Sequence, residues 1–105
     1  MIRVANLRNL NLKKGEVLIK IDRSSVLGNP YYMKDESMRD EVCDKYVIYF
    51  NKKLNDLKFM IELKNIYKLS KSFDIVLGCW CYPKRCHGLT VKLWIESYKG
   101  VSVNE

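Results

Sequence analysis

The chain contains no apolar stretch approaching the roughly 18 residues that a membrane-spanning helix requires, so such a span is excluded. Its opening residues, Met1-Ile2-Arg3-Val4-Ala5-Asn6-Leu7-Arg8, lack the long apolar core of a secretory signal. A cytoplasmic protein with no membrane partner is therefore expected. Internal repeats and low-complexity segments are missing, which excludes a solenoid and long disorder alike. Also missing are the paired Cys-x-x-Cys ends of a common zinc knuckle and an arginine-rich stripe of the kind that follows phosphates along a nucleic acid.

What is present is a chain of 105 residues, 48% hydrophobic and 30% charged, enough for one domain over residues 1–105 with one modest core. Formal net charge is +7, of which residues 1–51 carry +2 and residues 52–105 carry +5. The excess lies in scattered lysines such as Lys52, Lys58, Lys64, Lys68 and Lys92, a pattern that fits a solvated face better than a phosphate track. In a cytoplasmic setting four cysteines do not read as a disulfide framework, and metal binding or thiol reactivity gains weight. Cys43, in an apolar helical context, reads as a core residue.

Two short runs rich in branched residues, Ile2 to Asn6 and Val17 to Asp22, read as strands. Arg23 to Tyr32 brings together Gly28, Asn29 and Pro30 and reads as a loop. Ser37, with Asp40 three residues on, offers a helix N-cap, and Met38, Val42, Tyr46, Tyr49 and Phe50 recur at helical spacing, predicting a helix to about Leu54. Leu57, Met60, Ile61 and Tyr67 predict a second helix ending near Ser70. In both helices the aromatic positions read as core stripe. Phe73 to Cys81 is a continuous apolar run of strand length, the expected central strand. From Leu89 to Tyr98 a strand period and a helix period compete, and Gly100 to Glu105 reads as a tail that frays or adds an edge strand.

Chemistry concentrates after the central strand. Three of the four cysteines and the only histidine fall within Cys79-Trp80-Cys81-Tyr82-Pro83-Lys84-Arg85-Cys86-His87. On a strand Cys79 and Cys81 leave one face and Trp80 the other. Cys86 and His87 are expected in the first turn of a helix, where backbone N–H groups stabilise a thiolate or an anion. Three readings stay open on residue chemistry alone. Zinc could draw on Cys79, Cys81, Cys86 and His87. A nucleophilic or acid–base site would use Cys86 with His87, and Arg23 or Arg39 to hold a negative substrate. A structural reading keeps the cysteines as compact packing at a crowded turn, with His87 capping the helix or bonding the loop. Surface salt bridges are the ordinary fate of Arg23 and Arg39, and local backbone bonding that of Asn29.

Val4-Ala5-Asn6-Leu7-Arg8, Ile21-Asp22-Arg23 with Leu27-Gly28-Asn29-Pro30-Tyr31, Arg39-Asp40-Glu41-Val42 with Lys45-Tyr46, and Leu77-Gly78-Cys79-Trp80-Cys81-Tyr82-Pro83 with Cys86-His87-Gly88 together resemble the phage and bacterial family known as domain of unknown function 4326. The resemblance covers nearly the whole chain and carries no assigned activity. It implies a small compact α/β domain and a helix over Leu89 to Tyr98. The Cys-His after a strand is similar to a motif of another uncharacterised Rossmann-like group. The resemblance also gathers Arg23, Gly28, Asn29, Pro30, Arg39, Tyr46, Cys79, Trp80, Cys81, Pro83, Cys86 and His87 into one constellation. Two positions depart from the family pattern: Asp22 stands where a glycine often precedes the arginine, and Leu89 where an acid often follows His-Gly.

The resulting expectation is a Rossmann-like α/β domain with a short, mainly parallel sheet and about three helices. The loop after the second strand and the Cys-His turn meet around a pocket at the carboxyl edge of the sheet. Its ligand is expected to be a nucleotide or other phosphate-bearing small molecule, held by Arg23, Arg39 and the loop residues Gly28, Asn29 and Pro30. Tyr46 or Trp80 would stack on a base beside Cys79, and Cys81, Cys86 and His87 would act. No cofactor is required, with zinc the one candidate. The alternative is a basic, non-enzymatic protein of phage type that binds nucleic acid or a host protein in the host cytoplasm, its cysteine cluster structural or zinc-binding.

Overall fold

A computed structural model describes residues 1–98, so Gly100 to Glu105 lie outside the described residues. Three parallel strands, β1 (Ile2–Asn6), β2 (Glu16–Lys20) and β3 (Asp74–Cys79), form a sheet in the order β1-β3-β2. Val4 and Ile19 both face Leu77 in register. The last strand in sequence is thus central, and its run Ile75-Val76-Leu77 is wholly buried because both faces are covered.

Side chains alternate along β3. Ile75, Leu77 and Cys79 enter the main core with Phe59, Leu63 and Ile66 of α2 (Leu57–Ser70) and Val91 and Ile95 of α3 (Gly88–Ser97). Toward the other face, a β-carbon on Gly78 would stand 2.5 Å from Leu7 Cδ2 and 2.9 Å from Leu18 Cδ1. The connection from β1 to β2 therefore lies directly over that face. Its return turn uses Gly15 at φ +85°, a backbone region that favours glycine. Arg3 and Glu16 close the same face through a forked ion pair, Nε to Oε2 at 2.8 Å and Nη2 to Oε1 at 2.9 Å, and this bond to Arg3 lowers the Glu16 carboxyl to about 2.

The first helix, α1 (Arg39–Lys53), turns its inward side to the loops beyond the strand ends. The buried Tyr46 hydroxyl donates to the Leu27 carbonyl at 2.6 Å, and the Cys43 thiol lies 3.7 Å from the Arg85 carbonyl. A short 3-10 turn, Glu36–Met38, leads into α1 and is capped by Asp35, which accepts from the Ser37 amide at 2.9 Å. Asp35, and not Ser37, is the capping residue. For α3 the helical alternative holds: Val91 and Ile95 are buried while Leu89 and Leu93 are exposed, a split that a strand with alternating faces would not produce.

Two strands are shorter than the sequence predicts. At the end of β2, Asp22 accepts from both the amide and the hydroxyl of Ser24, and this local turn competes with further pairing. Cys79 ends β3, since Asn6 Nδ2 then takes up the carbonyls of Trp80 at 3.2 Å and Tyr82 at 2.9 Å. With the pleat ended, Cys79 is buried while Trp80 is exposed.

Candidate functional site

The segments that leave the carboxyl ends of β2 and β3 frame a hollow of about 390 Å³, within the range of small-molecule pockets. Arg23 and Asn29 come from the loop after β2, Cys79, Trp80 and Cys81 from the end of β3, and His87 from the start of α3. α1 closes the hollow with Arg39, Val42 and Cys43. The two regions expected to meet are thus brought to one place. All four cysteines line this hollow, and all are unpaired thiols. Cys43, read from sequence as core, is buried and lines the hollow as well.

His87 is buried at 8% exposure. Its Nε2 lies 2.5 Å from the Ile21 carbonyl, so Nε2 carries the hydrogen and the lone pair is left on Nδ1. Every fully buried side-chain nitrogen and oxygen among the described residues has a hydrogen-bond partner, whereas Nδ1 has none. Nδ1 is therefore not fully sealed, and His87 lines the hollow. Burial lowers the His87 pKa, keeping the ring neutral, while the Ile21 carbonyl and the Asp22 carboxylate oppose the shift. The Tyr46 ring stands edge-on at 5.0 Å and fixes the imidazole plane. A neutral, oriented ring with an open lone pair is suited to accept a proton.

Cys79 and Cys86 face each other at 3.3 Å between sulfurs, and the Gly88 amide donates to Cys86 at 3.4 Å. The pair shares protons, so one thiol is eased toward thiolate and its neighbour held protonated. The eased thiol is Cys79, mainly through the Cys86 hydrogen bond, then through the backbone N–H groups of Tyr82 and Cys81 and the nearby Arg39 charge. Cys86 is pushed up by the same contact and by burial. The sequence reading named Cys86 as the reactive thiol; in the structure it shares its contact with Cys79.

The arginines divide. Arg39 forks onto Glu36 at 2.7 Å through both Nε and Nη2 and donates from Nη1 to the Arg85 carbonyl at 2.9 Å, so it braces the turn more than it offers a free fork. Arg85 is held by Asp40 at 3.0 Å and Asp44 at 2.9 Å. Arg23 has no carboxylate partner among the described residues. It donates to the Tyr31 carbonyl at 3.2 Å, and its guanidinium lies 5.2 Å from the centre of the Tyr32 ring.

Other expected ligand residues are placed differently. Tyr46 is completely buried, so it is unable to stack on a ligand, and burial pushes its hydroxyl pKa up. Gly28 and Pro30 line a neighbouring hollow of about 470 Å³ that shares only Arg23 and Asn29 with the first. Gly28 is needed for close approach, since a β-carbon there would lie 2.3 Å from the Asp22 carbonyl oxygen. Asn29 accepts from the Tyr31 amide at 2.9 Å. For zinc, the expected set does not assemble: among the described residues no group of three or more His, Cys, Asp and Glu side chains is arranged to hold a metal ion, and Nε2 of His87 is already used by Ile21.

Sequence reasoning singled out no role for Asp22, Ser24, Tyr31 or Tyr32, all of which line the hollow. Asp22 accepts from Trp80 Nε1 at 3.2 Å, holding the indole over the opening. The aromatic pair directly after Pro30 was the available signal.

A family model described as Domain of unknown function (DUF4326) matches residues 4–97. Neither the curated proteins nor the solved structures include a match.

Proposed function

The chain belongs to the DUF4326 family, whose description assigns no activity, and from the pocket itself we propose that it binds a nucleotide or related phosphate-bearing small ligand at the carboxyl edge of the sheet. The observation that carries this reading is Arg23, a guanidinium without an acid partner among the described residues that shares one hollow with His87. Guanidinium is the side chain best matched to phosphate. The half-exposed Trp80 indole, fixed by Asp22, and the rings of Tyr31 and Tyr32 supply flat apolar surface for a base. The net charge of +7 favours capture of anions from solution. His87 would accept a proton from the bound ligand at Nδ1, which is the step at which binding could become turnover.

Titration calorimetry with nucleoside monophosphates, diphosphates and triphosphates, set against the matching nucleosides, tests the reading. Binding is expected to require phosphate. Arg23→Ala should weaken it roughly tenfold to a hundredfold, the range of about 1.5–3 kcal/mol for a hydrogen bond to a charged group, with the circular dichroism spectrum unchanged. Equal affinity for nucleoside and nucleotide, or indifference to Arg23→Ala, would overturn it. Nucleic-acid binding that collapses steeply with salt and ignores Arg23→Ala would establish a basic binding surface instead.

A further inference from the structure

Cys79 ends β3 and Cys86 stands just before α3, and between them the chain loops out and returns so that their sulfurs stand 3.3 Å apart. Both are unpaired, and both line the hollow. A disulfide requires about 2.05 Å between sulfurs, so closure asks for a movement of little more than an ångström. Cys43 faces the Arg85 carbonyl, and Cys81 sits beside Arg39. Neither has another sulfur within hydrogen-bond reach among the described residues.

We propose that Cys79 and Cys86 are a hydroperoxide-reactive dithiol, Cys79 attacking and Cys86 resolving, which closes to an intramolecular disulfide on the floor of the hollow. The surroundings assign the order. Beside the Cys79 sulfur stand the Cys86 sulfur at 3.3 Å and the N–H groups of Cys81 and Tyr82, two N–H groups that stabilise negative sulfur against the single Gly88 amide that reaches Cys86. In this order Cys86 keeps its proton until the first step is complete.

The chemistry balances with a hydroperoxide as oxidant. The Cys79 thiolate attacks one peroxide oxygen, the O–O bond breaks, and the departing oxygen leaves as water or alcohol after taking a proton. Cys79 becomes a sulfenic acid, oxidised by two electrons. Cys86 then loses its proton and attacks that sulfur; the S–S bond forms, and hydroxide leaves and is protonated to water. A dithiol reductant reverses the sequence by thiol–disulfide exchange. No bound ligand is needed, so this proposal stands independently of the nucleotide reading.

The test is hydrogen peroxide on the reduced full chain, followed by intact mass, thiol alkylation and peptide mapping. The expected result is loss of two hydrogens, loss of two alkylatable thiols, and a linked peptide joining Cys79 to Cys86, all reversed by dithiothreitol. Cys86→Ser should stop at a sulfenic acid on Cys79 that a 1,3-diketone reagent traps, Cys79→Ser should abolish the reaction, and Cys81→Ser should leave it intact. If a serine variant fails to fold, mapping of the unsubstituted chain decides alone. Linkage to Cys43 or Cys81, a disulfide only between molecules, or four thiols unchanged under excess peroxide would each overturn the proposal.

Discussion

His87 combines a backbone anchor with an open lone pair, and its titration gives the first prediction at the residue scale. Its folded pKa lies below the ordinary 6.5 because burial disfavours the charged ring. Between the lowered value and 6.5 the unfolded chain binds more protons at His87 than the folded one, so the His87 contribution to stability rises with pH through that window. The melting temperature is therefore expected to fall on acidification from about pH 7 to about pH 5, each unit of pKa difference being worth about 1.4 kcal/mol. Glu16 and Glu36, held to about 2 by Arg3 and Arg39 in the folded chain but near 4.5 in the unfolded one, add a slope of the same sign toward pH 5, and comparison with a His87 variant separates the two contributions. His87→Gln should reduce the slope; an unchanged slope in the variant would assign the effect to another group. Sequence alone marked His87 as notable because it is the only imidazole, but the carbonyl that orients it lies on the far side of the chain.

At the scale of elements, the patterns read from sequence locate the three strands and the first two helices, and their errors fall at the ends. Hydrophobic period identifies an element through its buried face, whereas an end is decided by which group reaches the last free N–H or C=O. Asp22, Asn6 and Asp35 make those decisions for β2, β3 and the entry to α1. The start of α2 depends in the same way on Asp56, whose carboxylate accepts from the Phe59 amide at 3.1 Å. Asp56→Ala is expected to cost about 1 kcal/mol, read as a melting temperature lower by roughly 4–8 °C. An unchanged melting temperature would show that packing of Phe59, Leu63 and Ile66 secures the first turn of α2 without its cap. For α3 the two periods in Leu89 to Tyr98 were balanced, and the helix there buries Val91 and Ile95.

On the scale of the whole molecule, the hollow exists because a loop after one strand folds back against a turn after another, with α1 closing the side. Gly28 makes the fold-back possible: its hydrogen faces the Asp22 carbonyl and the Arg23 Cα, where a β-carbon would stand at 2.3 and 2.8 Å. These are backbone atoms and have little room to yield. Gly28→Ala should therefore destabilise by about 1–3 kcal/mol, the usual cost of overpacking, and weaken the proposed nucleotide binding by displacing Arg23. Chemical denaturation and calorimetry on the same variant check both effects; full stability with full affinity would show that the loop accommodates a side chain.

Composition and hydrophobic period determined by themselves that this chain is an α/β domain with a buried central strand, and the crowding of thiols with one imidazole marked where chemistry would lie. Those properties are local, since burial and chain reversal leave their mark on neighbouring residues. Only the tertiary structure decided that Tyr46 is sealed behind His87, that Arg39 and Arg85 are held by acids while Arg23, among the described residues, is not, and that Cys79 and Cys86 stand sulfur to sulfur. Each of these depends on partners far away in the chain, and the charge, exposure and protonation of a side chain are set by what surrounds it in space.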